Sequence, residues 1–306
     1  MKDFTFLTDE QCIGDAKLDI LKKRGKQASI TDFSILLGAL YYVNEAKDSS
    51  LEWRTGSWWT KSDDSAPGVY GIGEKGQIIC TSTNERYIGA RPAIHFSELS
   101  AILTNVGNAK KASDGILEVE YGYYPQEAVP KDMQERLEKA YKTHSIKKTR
   151  NSYTTDSRKY DDYGGKFLAK QHKEYEYDGK RYVRVKANSF YDGCKFILSN
   201  REKYKDGDNV WVEISPVKWL VDEKSHIMIT EKIIFAGVQL NNERNYHTKD
   251  FDKSDIKTFM DRYLSKDIEQ TRDSLSLGEE TKENKNLEPR KSRLQKLNPD
   301  KTNPED

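Results

Sequence analysis

Apolar and polar positions alternate over short runs through most of this chain and fall at helical spacing in four places. Thr8-Asp9-Glu10-Gln11 has the form of a capping box, a hydroxyl with Gln three residues on. It predicts a helix through Leu18, Ile20 and Leu21 that stops near Gly25. Thr31 predicts a second cap, ahead of Phe33, Leu36, Leu37 and Leu40 on one face. A third helix starts at Lys131, with Met133, Leu137, Ala140 and Tyr141 in register. A fourth follows Ser254, with Ile256, Phe259, Met260, Tyr263 and Leu264 as a full apolar stripe.

The rest reads as short strands. Trp58-Trp59 is one; Val69–Ile72 and Ile78–Thr81 form a hairpin through Glu74-Lys75-Gly76. Residues 90–94 return as an edge strand, because Pro92 has no N–H for a central ladder. Strands are predicted over 117–121, and over 211–214 and 217–221 with a break at Pro216; 227–229 and 233–235 are further short apolar pieces. Residues 175–177 and 182–185 flank Asp178-Gly179, a pair suited to a type I′ turn. The polar stretch 145–170 has no assigned element, a long surface loop being one option. Short strands with few helices predict an α+β fold rather than a doubly wound sheet.

The composition narrows the options. Of 306 residues 35% are hydrophobic and 11% aromatic, so the core must lean on Trp, Tyr and Phe. With 51 basic against 50 acidic residues, the formal charge of +1 gives no global field toward nucleic acid or an acidic membrane. Cys12, Cys80 and Cys194 are odd in number and far apart, which argues against a disulfide framework or a zinc knuckle. Cys80, inside a strand, is expected to be a small buried hydrophobe. No window approaches the ~20 apolar residues of a membrane helix, and the first residues do not form a secretory signal. A soluble cytoplasmic protein without membrane insertion is the expectation.

The chemical motifs are weak. His95, His144, His172, His226 and His247 are scattered without metal-site spacing. Gly71, Gly73 and Gly76 match GxGxxG but lie in a hairpin with no following helix, so they read as turn glycines. Asp63-Asp64 and Asp161-Asp162 supply only a fragment of the six or more oxygens calcium needs. Lys147, Lys148, Arg150, Tyr153, Arg158, Lys159 and Tyr160 mix cations with rings, a pattern that can stack on single-stranded bases and is more often a solvated loop. No cofactor is expected, and nucleic acid is expected only through a protein complex.

Trp58-Trp59-Thr60-Lys61-Ser62, the hairpin glycines and Gly89-Ala90-Arg91-Pro92-Ala93-Ile94 together resemble a bacterial domain family of unknown role, marked by WWLRSP, a hairpin and GVRPAL. That family is similar in fold to C-type-lectin-like domains and to the formylglycine-generating (sulfatase-modifying) enzyme. Gly122-Tyr123-Tyr124-Pro125-Gln126, Ser215-Pro216-Val217-Lys218-Trp219-Leu220-Val221 and the 256–264 helix resemble the segments that open the family domain, yet here they follow the WW and RPA elements. The resemblance implies a circularly permuted domain. Residues 1–97 form its second half, 98–115 the linker, 116–270 its first half and 271–306 a disordered charged tail. Two half-domains completing each other in a dimer is the alternative, which leaves oligomerisation open.

A lectin-like fold implies a non-enzymatic module that recognises a protein or glycan through loops. Trp58, Trp59, Asp63, Asp64, Glu85, Arg86 and Tyr87 are then the contact candidates, with core packing of the two indoles and simple solvation of the charges as the competing readings. Arg91 is expected to make an ion pair or backbone contacts, since five donors must be satisfied. Two further readings are a divergent formylglycine-generating-type enzyme, for which no close cysteine pair is present, and a phage or bacterial inhibitor binding a host nucleoprotein complex.

Overall fold

A nine-stranded antiparallel sheet is the frame of the molecule. The computed structural model describes residues 4–14, 17–43, 54–62, 68–98, 108–156, 169–188, 195–241 and 249–268, and absences stated below refer to these residues. The spine of the sheet is the strand Asn209–Asp222. It pairs on one edge with Leu117–Ala128 and on the other with Lys180–Lys186 and Ile227–Thr230. Ile227–Thr230 continues to Ala93–His95, and Ala93–His95 to Phe4–Thr5. The sheet is therefore woven from both ends of the described chain. Residues 4–94 and 116–268 also contribute to one hydrophobic cluster.

Three smaller sheets surround this frame. Arg54–Gly56 lies between Ala28–Ser29 and Tyr41–Val43, and Val69–Ile72 between Trp58–Trp59 and Ile78–Thr81. Lys195–Ile197 pairs with Lys203–Lys205. Strands dominate over short helices, so the architecture is α+β. No helix is long and apolar enough to cross a membrane.

Local chemistry accounts for the boundaries. Thr8 and Gln11 form the reciprocal capping box of a helix that covers only Asp9–Ile13. A second helix, Asp19–Arg24, ends where Gly25 takes a positive φ. The single helix expected across this stretch is thus two, the first closed by the Gly14 N–H on the Glu10 carbonyl. Thr31 and Ser254 cap Asp32–Leu36 and Asp255–Phe259 as their hydroxyls allow. The last helix widens into a π turn over Met260–Leu264. Asp178 and Gly179 both have positive φ, the requirement of a type I′ turn between Ala169–Tyr177 and Lys180–Lys186.

Three expectations need correction. Ala93–His95 is an interior strand, not an edge; Pro92 sits just before it and serves through its carbonyl, which accepts from the Thr230 N–H. Pro216 does not break its strand, because it lies opposite Tyr123 where the register with Leu117–Ala128 already shifts. Part of the supposed surface loop is the strand Lys147–Asp156, with Tyr153 buried in the core. Residues 99–107, 157–168 and 269–306, including Asp161, Asp162 and the charged tail, lie outside the described residues.

Aromatic rings fill the core. Trp219 meets Phe4 at 6.1 Å and Tyr121 at 6.3 Å, joining the first strand to the central strand pair. Beneath the helix Lys131–Lys142, a satellite cluster of Val129, Leu137, Tyr182 and Trp211 is closed by the Trp211 indole N–H on Glu138.

Candidate functional site

The paired strands Leu117–Ala128 and Asn209–Asp222 lose regular register twice, between Glu120 and Tyr123 and between Pro125 and Ala128. Gly122 sits in the first irregularity with φ +70°, and a Cβ there would come within 2.1 Å of the Ile268 side chain. Only glycine fits both that conformation and that contact. The irregular segment opens a cleft of about 270 Å³.

Its walls come from three separated segments: Glu120, Gln126 and Glu127; Ser215, Pro216, Val217 and Lys218; and Glu231, Lys232 and Ile234. Gln126 fixes the geometry. Its amide nitrogen donates to the Ser215 carbonyl at 3.0 Å, the Ser215 hydroxyl at 2.8 Å and the Pro216 carbonyl at 2.7 Å. Two of those acceptors are carbonyls, which sets the orientation of the amide. Its oxygen consequently points away from them and accepts from no described group, although the residue is only 8% exposed. Glu231 and Lys218 also lack a side-chain hydrogen bond or ion pair within the described structure. Glu120 accepts from Asn108 at 2.6 Å.

Behind the cleft runs a buried charge network. Glu127 accepts from Lys232 at 3.1 Å and from Arg54 at 3.3 Å. Arg54 also donates to Asp32, which is fully buried and receives the Ala128 N–H at 2.7 Å, the Ser199 N–H at 3.0 Å and the Ser199 hydroxyl at 2.5 Å. Three segments distant in sequence are thereby tied to one carboxylate. Burial, with the Asp32 charge adding to it, pushes the Glu127 carboxyl above its ordinary range against the pull of Lys232 and Arg54.

The residues singled out in the sequence lie elsewhere. Trp58 and Trp59 are both wholly buried, so neither ring lines an open pocket in this structure. The Trp58 indole N–H donates to the Lys26 carbonyl at 3.2 Å. Glu85, Arg86 and Tyr87 are half-buried between Ile78–Thr81 and Ala93–His95. Their segment is pinned by the Arg86 and Tyr87 carbonyls, which accept from Gly237 and Leu40. Burial raises the Glu85 carboxyl above its ordinary value. Asp63 and Asp64 lie outside the described residues.

Arg91 is 3% exposed and makes the expected backbone contact, Nε to the Thr230 carbonyl at 2.8 Å, with its guanidinium 5.2 Å from the Trp58 ring centre. Of the two expected alternatives, ion pair or backbone contact, the structure has the second. Nη1 has no acceptor, and burial lowers the guanidinium to about 10, opposed by Cys12 and Glu231 at a distance.

The cysteines divide. Cys80 is exposed, contrary to expectation, because it points from the outer strand of its small sheet on the same face as exposed Ile78. Cys12 is buried, and desolvation pushes its thiol up to about 12 despite nearby Arg91. A thiol so placed is a poor nucleophile. Among the described residues no group of three or more His, Cys, Asp or Glu is placed to hold a metal ion. The three cleft carboxylates therefore do not converge on one point. The Tyr153 ring, fully enclosed, is no base-stacking platform, and Lys147 is paired with Glu176 at 3.1 Å.

The cleft residues carried little signal in the sequence. Gln126 and Ser215 belonged to recognisable segments, but Glu120, Glu127, Glu231 and Lys232 look like any surface charges until strand pairing collects them. No family model, no curated protein and no solved structure matches this chain.

Proposed function

We propose that this chain is a non-enzymatic interaction module, a permuted relative of C-type-lectin-like domains, that recognises a protein or glycan at the cleft over its bulged strands. The carrying observation is Gln126: a nearly buried amide whose nitrogen is locked by three acceptors and whose oxygen is left open on the cleft wall. With its nitrogen committed, the Gln126 oxygen is left to accept from solvent or from a ligand donor. The permuted reading is supported by the pairing of Ala93–His95 with Ile227–Thr230, which puts the GARPAI segment beside the strand after SPVKW. In the lectin-like reading Glu85–Tyr87 remains a second contact segment at the rim.

The enzyme reading, a divergent formylglycine-generating type, needs an activated thiol. Buried Cys12 and strand-borne Cys80 offer poor support for one. The test is site-specific photo-crosslinking in native cells, with benzoylphenylalanine at Lys218 and, as control, at exposed Lys110. A discrete adduct from position 218 alone, lost in Glu231→Gln, is the expected result. Equal labelling from both positions, or a small-molecule turnover that Glu231→Gln abolishes, would overturn the reading.

A further inference from the structure

Two outer strands of this molecule are lined with lysine: Ala109–Lys111 carries Lys110 and Lys111, and Lys203–Lys205 carries one at each end. Charge on a sheet edge keeps further strands from adding to it. Ile78–Thr81, the outer strand of its own sheet, has no charged residue, and Ile78 is 46% exposed.

One hydrogen bond fixes where the backbone groups of this strand point. The Gly73 N–H donates to the Gln77 carbonyl at 2.7 Å, which makes these two a bonded pair at the hairpin end. Bonded and non-bonded pairs alternate along an antiparallel ladder. Gly71–Ile79 and Val69–Thr81 are therefore bonded pairs, and Ile72–Ile78 and Tyr70–Cys80 are not. The far flank agrees, since the Tyr70 carbonyl turns away from Cys80 and accepts from the Thr60 N–H at 3.3 Å. Ile78 and Cys80 thus aim their N–H and C=O groups at the open edge, where no described residue bonds them.

These two residues are placed symmetrically about Ile79. A two-fold axis at Ile79 sets Ile78 of one chain opposite Cys80 of another, and Cys80 opposite Ile78, each pair exchanging both of its N–H···O bonds. The outward groups of both residues are then satisfied, and the exposed Ile78 and Cys80 side chains cover one another. Nothing repels across the axis, because residues 77–84 are uncharged. The ends are complementary: antiparallel pairing brings the turn that carries Lys75 alongside the loop that carries Glu85. Lys75 has the Tyr42 ring at 5.1 Å and Glu85 is half-buried, and neither has an ion pair among the described residues.

We propose that Ile78–Thr81 is a dimerisation edge, to which a second copy of this chain adds antiparallel with Ile79 on the two-fold axis. The edge shares no residue with the cleft, so this inference stands apart from the recognition reading. A contact of a few residues a side is far smaller than a permanent interface, so the dimer is a weak one that forms in the high-micromolar range.

The experiment is sedimentation velocity of the full chain, kept reduced, from about 10 µM to about 1 mM, the span in which a small interface is populated. The sedimentation coefficient rises with concentration toward the dimer value. Ile78→Lys and Cys80→Glu each weaken association about tenfold or more. An equimolar mixture of the two variants recovers part of it, because the new ammonium then faces the new carboxylate across the axis. A short-armed bismaleimide joins two wild-type chains, and Cys80→Ser abolishes that product. Urea melts establish that each variant is folded, and if Ile78→Lys is not, Ile78→Thr takes its place with a smaller loss of the same sign. A chain that stays monomeric throughout overturns the proposal and leaves the edge to a strand of another protein. Association that both charged variants leave unchanged also overturns it, because the contact then lies elsewhere. Weakening by both without recovery in the mixture overturns the pairing of Ile78 with Cys80.

Discussion

Arg54 and Arg91 are each 3% exposed, yet their surroundings differ in kind. Arg54 lies between two carboxylates, Asp32 and Glu127, and the first is itself held by three donors from Ala128 and Ser199. Arg91 has one backbone carbonyl and the face of Trp58. A charge transferred from water into a protein interior costs several kcal/mol, and pairing returns that only with good geometry and further hydrogen bonds. The Arg54 region supplies the carboxylate pairing, and Asp32 adds the further hydrogen bonds. Around Arg91 an aromatic face offsets part of the cost, and the lowered guanidinium value records the remainder. Similar burial therefore says little about what each arginine contributes.

Breaking the stronger region gives the largest effect. Asp32→Ala removes the fully buried carboxylate that Arg54 bonds and frees the Ala128 and Ser199 donors. It should lose about 3–5 kcal/mol in urea unfolding, the range for a buried pair deprived of one partner. Arg91→Met removes a poorly satisfied charge and keeps an unbranched stem on Trp58, so its cost should stay near 1 kcal/mol or below. Its signature is alkaline. Between about 10 and the ordinary guanidinium range the unfolded chain binds the proton that the folded chain has lost, so wild type gains stability with rising pH there and the variant does not. Paired melts of the two proteins across that window give the sign.

Glu127→Gln tests the outer carboxylate of the Arg54 region. Because folding raises the Glu127 value, ionised Glu127 favours the unfolded state, and its contribution is lost as pH rises through the folded value. The variant should match or exceed wild type at neutral pH by less than about 1 kcal/mol, and wild type should regain ground in the acid carboxylate range. The smallest effect belongs to the surface. Arg24 bonds Asp114 at 2.6 Å and Glu118 at 2.8 Å at the partly exposed surface, and Arg24→Ala should cost about 0.5–1 kcal/mol, reduced by salt. Asp114, held down to about 2 chiefly by Arg24, makes that contribution above its ordinary value and loses it as pH falls toward 2.

What the sequence disclosed follows the range of the forces involved. Thr8 with Gln11, Thr31, Ser254 and the Asp178-Gly179 turn act over three or four residues, and the structure uses each as the local rule requires. Pro92 and Pro216 misled, because a missing N–H disrupts a ladder only where a partner asks for it, and here a strand boundary and a register shift ask for none. Cys80 misled because which face of a three-stranded sheet is covered depends on what packs there. The cleft was hardest to read. Its charges are scattered from 120 to 232 and acquire a common role only through pairing of distant strands. The Asp32 network has the same long reach, to residues 54, 128 and 199.

Placing Ala93–His95 between Phe4–Thr5 and Ile227–Thr230 has a consequence for how the chain is made. On the ribosome the N-terminal third must wait for a partner strand still on the order of ten seconds from synthesis. Until then Phe4 and Ile94, both enclosed in the finished protein, have no frame to dock against. A nascent chain stalled before Ile227 should be protease-sensitive and bound by holdase chaperones, and release of a chain extended beyond Thr230 should end both.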